Sequence, residues 1–191
     1  METSRLIPIF VKIFYDVKIK EVVFALERFA PLPLQESYDN AGLQVGLTEV
    51  EASGALLCLD VTEEVIDEAV SLGCNLIVSH HPVMNVRWHE REMQTLRPDT
   101  RLGGVLTTLV KNDISAICMH TNLDAADGGV NDCLAKKLGL NDVFLLNDEK
   151  IGRIGTLSCE KGLEEFLRDV IELLGCGGLR YCRGSGRVYR V

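Results

Sequence analysis

The chain has 191 residues, of which 47% are apolar and 25% are charged, the proportions of an ordinary folded protein. This length allows one domain, or one domain and the start of another. A net charge of −8 argues against a general nucleic-acid-binding protein, which must neutralise phosphates, and leaves room for no more than a local basic surface.

The first predicted feature is an apolar stretch over residues 6–15. Lys12 interrupts it, and it is far shorter than the roughly 20 residues that a membrane-spanning helix needs. No small-residue cleavage site follows, so we do not expect a secretory signal or a membrane association. The seven cysteines include no CxxC pair. We interpret Cys58, Cys118 and Cys133 as buried free thiols of a cytoplasmic protein.

The apolar spacing then predicts a helix over residues 20–29, followed by a polar, glycine-containing stretch over 36–46 that we interpret as a loop leading into a short strand. Further along, apolar runs alternate with helical patterns. We predict strands at 55–59, 75–79 and 114–119, and helices at 63–71, 100–111 and 130–138. This alternation is typical of an α/β fold, with a mainly parallel or mixed sheet flanked by helices.

The pattern changes after about residue 150. We predict a strand at 153–158, an amphipathic helix at 162–174 and strands at 179–182 and 186–191. We therefore divide the chain into an extra N-terminal segment (1–17), a metal-binding α/β domain (18–150) and the start of a second α+β region (151–191).

Three of the four histidines directly follow two of the predicted strands. His80 and His81 follow the strand at 75–79 and precede Pro82, while His120 follows the strand at 114–119 and precedes Asp124. Binding sites of parallel sheets form outside the carboxyl ends of the strands, so we expect these groups to meet. Imidazole and carboxylate ligands together favour Zn, Mn, Fe, Co or Ni over Ca or Mg.

Adjacent histidines have more than one interpretation. Successive side chains of an extended strand point to opposite faces, so His80 and His81 could bind two neighbouring ions, or one ion and an outer partner. Two ions close together would activate a bridging water for hydrolysis. The alternative is a strand end without any metal. His89 lies in a charged segment and is interpreted as a solvated residue.

Polar residues outside the histidine segments are candidates for other roles. Glu36, Asp39 and Asn40 lie together in the predicted loop and are candidates for substrate contact or proton transfer. An Asx turn at Asp39 and Asn40 is an equally good interpretation. We expect Thr62 to cap the helix at 63–71, and Asp60, which follows the first strand of the domain, to cap the turn between strand and helix.

Three segments in this order carry a specific resemblance: YDNAGLQVG at 38–46, SHHP at 79–82, and HTNLD at 120–124 followed by GGVNDCLA. They resemble the GTP cyclohydrolase 1 type 2 family, the Nif-three-like proteins, from about Lys18 to the last residue. The resemblance implies a Nif-three-like fold, a dinuclear centre of divalent metal ions and a toroidal homohexamer. It also implies hydrolysis of a nucleotide-like small molecule, including opening of the GTP purine ring, by a metal-bound water.

By the same resemblance, His80 and His81 each bind a different ion, and Asp124 is a further metal ligand. His120 is then a nearby residue that orients a ligand through a hydrogen bond. Family members complete the site with a GHxxxE segment near the C-terminus, which this sequence lacks. We therefore expect a truncated member, whose reading frame starts too early and stops too soon. The alternative function is a non-catalytic metal-binding scaffold or interaction protein, or an inactive truncated member.

Overall fold

The computed structural model describes residues 8–12, 16–84, 96–148 and 150–181. The chain forms two compact units, one within Leu6–Leu123 and the other beginning at Asp124. The three histidines of the two predicted metal segments all belong to the first unit. The domain boundaries predicted at 17 and 150 stay predictions.

The first unit contains a sheet and helices in the alternating order expected of an α/β fold. Its elements are β1 (Ile9–Lys12), α1 (Ile19–Phe29), a 3₁₀ turn (Leu32–Leu34), β2 (Gly42–Val45), β3 (Gly54–Cys58), α2 (Glu63–Ser71), β4 (Leu76–Ser79), α3 (Arg101–Lys111), β5 (Ser115–Cys118) and the start of α4 (Thr121–Ala125).

The sheet is mixed, with the strand order β1-β3-β4-β5-β2. Its three inner strands are parallel, and each edge strand is antiparallel to its neighbour. The prediction of an α/β fold with a mainly parallel or mixed sheet is therefore confirmed. Cys58, Ser79 and Cys118 are aligned across the ends of the inner strands. Whatever follows these three residues thus begins at one edge of the sheet.

The core of this unit lies between the sheet and helices α2 and α3. Leu56, Ile77 and Ala116 are neighbours across the sheet and pack with Ile66 of α2 and Leu109 of α3. Burying one such leucine or isoleucine side chain stabilises the fold by about 1.5–3 kcal/mol. This packing anchors β4 and β5, the two strands that lead into the histidine segments.

The second unit consists of α5 (Val130–Lys137), β6 (Asn141–Leu145), β7 (Arg153–Thr156) and α6 (Leu163–Leu174). Strands β6 and β7 form an antiparallel pair. The Arg153 guanidinium, only 5% exposed, makes an ion pair with Asp132 and so links β7 to α5. It also donates to the carbonyls of Lys150 at 2.9 Å and Gly152 at 3.0 Å.

Several elements differ from the sequence prediction. Strand β1 lies within the segment 1–17 that we placed outside the domain, yet Ile9–Lys12 pair with β3. Strand β6 and helix α4 were not predicted. The strand predicted at 179–182 is wrong for residues 179–181, which pair with none of the described strands. The strand predicted at 186–191 lies outside the described residues.

The cysteines agree only in part with the prediction of buried thiols. Cys118 is buried and Cys58 is half-buried, but Cys133 is exposed, because it lies on the outer face of the amphipathic helix α5. Burial, together with the nearby Asp60 carboxylate, raises the pKa of Cys58 to about 12. Burial and Asp39 raise the pKa of Cys118 to about 12 as well. Both thiols are therefore protonated at neutral pH.

None of the helices in the described part of the chain has both the length and the apolar character needed to cross a membrane.

Candidate metal centre

The structure brings the two histidine segments together, as their positions at the strand ends predict. His80 and His81 directly follow β4, and His120 follows β5 after one further residue. The centroid of the His80 ring lies 5.2 Å from that of His81 and 5.1 Å from that of His120, and the other two centroids are 5.8 Å apart. One ring nitrogen from each histidine lies within 4.8 Å of the other two. This spacing suits three ligands of a shared cation.

The adjacent residues His80 and His81 can both face this cluster because hydrogen bonds fix the backbone where β4 ends. The amides of His80 and His81 donate to the carbonyls of Cys58 at 3.1 Å and Leu59 at 2.8 Å. The Ser79 hydroxyl donates to the His81 carbonyl at 2.8 Å, and the Cys118 thiol donates to the His80 carbonyl at 3.1 Å. The chain therefore leaves the strict alternation of a strand at this point.

Each histidine of the cluster is oriented through its Nδ1. The Nδ1 of His80 contacts the Met119 carbonyl, that of His81 contacts Asp60, and that of His120 contacts Asp39, each at 2.9 Å. Carbonyl and carboxylate oxygens only accept, so the proton of each neutral ring resides on Nδ1 and the lone pair on Nε2. This is the tautomer that a metal-binding histidine adopts when an outer oxygen orients it.

The carboxylate of Asp39 is buried and is satisfied by four donors. It accepts from His120, from the Thr121 amide at 3.1 Å, from the Thr121 hydroxyl, and from the Asn40 amide at 2.8 Å. Burial raises the pKa of the Asp39 carboxyl, but the hydrogen bonds from Thr121, His120 and Asn40 together outweigh burial and lower this pKa overall. Asp39 is therefore an ionised, fixed partner of His120 at neutral pH.

The other loop candidates also make contacts within the protein. The Asn40 side chain donates to the Met84 carbonyl, and the backbone amide of Glu36 donates to the Thr121 hydroxyl at 2.9 Å. These contacts favour a role for Asp39 and Asn40 in holding the site. Their direct contact with a substrate stays a prediction.

Asp60 makes a contact that the sequence did not predict. Its carboxylate contacts His81, while the side chain of Thr62 caps α2, as predicted, by accepting from the Val65 amide. Asp60 lies two residues after the end of β3, and β3 pairs in parallel with β4, which leads into His81. Comparing residues that follow neighbouring strands would have found this pair.

Two predicted residues are placed less fully. Asp124 is the fourth residue of α4 and the first residue of the second unit, and its carbonyl accepts from the Asn131 side chain at 2.9 Å. Its role as a metal ligand stays a prediction. His89, predicted to be solvated, lies outside the described residues.

The donor set fits a divalent transition metal. Neutral imidazoles are preferred ligands of Zn, Cu, Fe and Ni, and catalytic zinc sites commonly use three protein ligands. Here three imidazoles with a fixed tautomer converge, and each is held by an oxygen of the surrounding protein.

Comparison with known proteins shows the family to which the chain belongs. The family model for Duf34/NIF3 proteins (NGG1p interacting factor 3) matches residues 17–191. The chain belongs to this family. The resemblance found in the three sequence segments is thereby confirmed.

Individual relatives extend the match to sequence and structure. A GTP cyclohydrolase 1 type 2 homolog from Clostridium perfringens is 37% identical over 180 residues, which cover 91% of this chain and 67% of the relative. A crystal structure of a Staphylococcus aureus hypothetical protein is similar with a TM-score of 0.75 and 28% identity, covering 85% of this chain and 66% of that one. A Bacillus cereus protein related to NIF3 has a TM-score of 0.64 and 36% identity, covering 70% of this chain and 35% of that one.

These coverages set the scale of the chain within its family. It spans about two thirds of the clostridial and staphylococcal proteins and about one third of the Bacillus protein. The residues that the family model matches, 17–191, include strands β2 to β5 and the three histidines of the cluster.

Proposed function

We propose that this protein binds a divalent transition metal through the imidazoles of His80, His81 and His120. The observation that carries the proposal is the shared orientation of the three rings: each Nδ1 contacts a protein oxygen at 2.9 Å. Orienting three imidazoles through outer oxygens fixes the tautomer that a metal requires. The proposal gives His120 a place among the ligands, where the family resemblance implied only an orienting role.

The fuller site that the resemblance implies is part of the same proposal. In it Asp124 adds an oxygen ligand, two ions are bound, and the ions are drawn from Zn, Mn, Fe, Co and Ni. The mixture of nitrogen and oxygen donors is consistent with these metals.

The chemistry that we propose is hydrolytic. A bound divalent ion lowers the pKa of a coordinated water and so supplies a nucleophile near neutral pH. The contribution of the chain is to orient the imidazoles: Asp39, Asp60 and the Met119 carbonyl each accept a hydrogen bond from the Nδ1 that they contact.

The substrate class follows from the name of the relatives. The clostridial relative is named as a GTP cyclohydrolase 1 type 2 homolog. We propose a nucleotide-like small molecule whose electrophilic ring carbon is attacked by water, as in opening of a purine ring. We propose the homohexamer that the resemblance implies and the cytoplasmic location that we expect from the sequence.

Replacing His80 with alanine tests the metal proposal. We expect the purified protein to retain at least one transition-metal ion per chain after dialysis, and His80→Ala to lose most of it, because one imidazole of the cluster is removed. Elemental analysis measures the content, and His89→Ala, which changes the one histidine outside the two sequence segments that form the cluster, is the matched control. An unchanged metal content in His80→Ala would overturn the assignment.

Activity is measured on the same samples by following the ultraviolet absorbance of GTP, which changes when the purine ring opens. Loss of this activity together with metal in His80→Ala supports the hydrolase. Metal binding without turnover of GTP or related purine nucleotides would favour the scaffold alternative.

A further inference from the structure

Strand β2 contains a β-bulge where it pairs with β5, the strand that leads into His120. Leu43 pairs with Ile117, and Val45 pairs with Ala116. Ala116 and Ile117 are adjacent in β5, whereas Leu43 and Val45 are separated by Gln44, which is therefore an extra residue between two regular pairs. A bulge changes the direction of the side chain at the inserted position, and bulges are enriched next to functional sites. The side chain of Gln44 therefore does not point in the direction that the regular alternation of a strand would give it.

The backbone after the bulge is fixed by close packing at Gly46. This glycine has φ +113°, and a Cβ at this position would lie 2.1 Å from Oγ and 2.5 Å from Cα of Ser115. The Ser115 hydroxyl in turn accepts from the Leu47 amide at 3.1 Å. Any larger residue at 46 would force β2 away from β5, so this contact maintains the register that produces the bulge.

The redirected side chain of Gln44 reaches the segment that carries two of the histidines. Its Oε1 accepts from the Met84 amide at 3.1 Å, and its Nε2 donates to the Asn40 carbonyl at 2.7 Å. The Asn40 side chain donates to the Met84 carbonyl. The side-chain amides of Gln44 and Asn40 therefore bind the backbone N–H and C=O of Met84, which lies three positions after His81.

Asp39, one residue before Asn40, accepts from His120 of the other histidine segment. The segment 39–44, which leads into β2 and includes its bulge, thus contacts both segments that form the cluster. Hydrogen bonds to Cys58, the last residue of β3, and to Leu59 hold the first segment at His80 and His81. The two side-chain amides hold it again at Met84.

We propose that Gln44, directed by the bulge, and Asn40 are positioning residues that set the geometry of His80 and His81 relative to His120. This inference rests on the proposed metal binding and adds to it the residues that decide how precisely the ligands converge. Outer contacts of this kind commonly change metal affinity by about 10- to 100-fold when the oriented ligand itself loses its partner. Because Gln44 acts one step further out, through Met84, the expected effect is smaller.

The test is Gln44→Met, which keeps the length of the side chain and removes both hydrogen bonds. We expect Co(II) affinity, measured by competition with a chelator, to fall about three- to tenfold. This factor corresponds to one hydrogen bond, because only the bond from Met84 to Gln44 contacts the histidine segment. The visible absorption spectrum of the bound Co(II) should change as well, since it reports the geometry of the ligands. Asn40→Ala should have a similar effect and serves as the second variant if Gln44→Met does not fold.

The matched control is Asn112→Ala. The Asn112 side chain donates to the Thr108 carbonyl at 2.9 Å, also an amide-to-carbonyl bond, but at the C-terminal end of α3. This end precedes β5, whereas His120 follows β5, so the control lies at the opposite edge of the sheet. We expect it to lower the melting temperature and to leave the Co(II) affinity and spectrum unchanged.

The proposal is overturned if Gln44→Met and Asn40→Ala both bind Co(II) within about twofold of the unmodified protein, less than the loss of one hydrogen bond implies, and with an unchanged spectrum. If the unmodified protein binds no Co(II), the proposed metal-binding function fails. The positioning role of Gln44 is then tested separately, by NMR of the histidine ring signals in the metal-free protein. A shift of the His80 and His81 signals in Gln44→Met, absent in Asn112→Ala, supports the positioning role. Unshifted signals in Gln44→Met refute it.

Discussion

His120 and His81 each contact an aspartate through Nδ1 at 2.9 Å, but the two pairs lie in different environments. In the first pair the side chain of Asp39 is 2% exposed and that of His120 is 22% exposed. In the second, Asp60 is 52% exposed and His81 is 43% exposed. Water screens the second pair, and exposed ion pairs contribute only about 0–1 kcal/mol to stability. The same contact therefore fixes a ring firmly in the buried pair and loosely in the exposed pair.

The difference arises from what surrounds each aspartate. Asp39 accepts further hydrogen bonds from Thr121 and Asn40, so neither its position nor its charge depends on His120 alone. Asp60 lies in the open turn between β3 and α2, where water competes for its oxygens. We infer that His120 is the rigid member of the cluster and that His81 is the member able to adjust.

Removing the buried carboxylate should have the largest effect. In Asp39→Ala the donors of His120 and Thr121 lose their acceptor inside the protein, and an unsatisfied buried donor costs about 1–3 kcal/mol. We expect the free energy of unfolding to fall by about 2–3 kcal/mol and metal affinity to fall about 10- to 100-fold. Urea denaturation of metal-free protein and chelator competition measure the two quantities separately.

The comparison between the pairs makes this result decisive. If Asp39→Ala proved no more destabilising than the equivalent change at Asp60, burial would not be what distinguishes the pairs. Asp132→Ala in the second unit is a further control for metal affinity. It also removes an aspartate from an ion pair, the one with Arg153, but no histidine of the cluster belongs to that pair.

Replacing the exposed carboxylate should have a smaller effect. In Asp60→Ala water can replace the lost acceptor of His81, so we expect the free energy of unfolding to change by less than about 1 kcal/mol. Metal affinity should fall only about three- to tenfold, since His81 loses its orientation but keeps its place in the backbone. The same denaturation and competition measurements apply, and a loss of affinity as large as that of Asp39→Ala would contradict the inference that His81 is the adjustable ligand.

The elements that the sequence predicts correctly are those with a local signal. Helix α2 was predicted at its observed bounds, and α3 and the inner strands were predicted within two residues at either end, because apolar periodicity and apolar runs lie within each element. Strand β1 lies within the apolar stretch 6–15, which we interpreted only with respect to a membrane span or a signal sequence, and both β1 and β6 have every residue exposed, so neither has the alternation of a half-buried strand. They form because another strand offers its backbone, which a local pattern does not show.

The site follows the same rule. The meeting of His80, His81 and His120 could be predicted because parallel strands bring their carboxyl ends to one edge. The pairing of Asp60 with His81 depends on the register between β3 and β4, and the contact of Gln44 with Met84 depends on a bulge. Neither a register nor a bulge can be read from residue types along the chain. Asp60 was therefore assigned another role, and Gln44 was assigned none.

Acid provides the last and smallest test of the buried pair. Burial raises the pKa of Asp39, but its hydrogen bonds lower it further, to a value below the ordinary 3.8. A carboxyl whose pKa is lower in the folded than in the unfolded protein stabilises the fold above the unfolded pKa, and this stabilisation is lost as pH falls through the folded pKa. Asp39→Asn removes this titration while keeping the size of the side chain. We therefore expect the variant to be less stable than the unmodified protein near neutral pH, and the difference to narrow below about pH 4. Urea denaturation of both metal-free proteins at a series of pH values measures the difference in their free energies of unfolding. If this difference widened on acidification, the contacts around Asp39 would not be what holds its carboxylate in the ionised form.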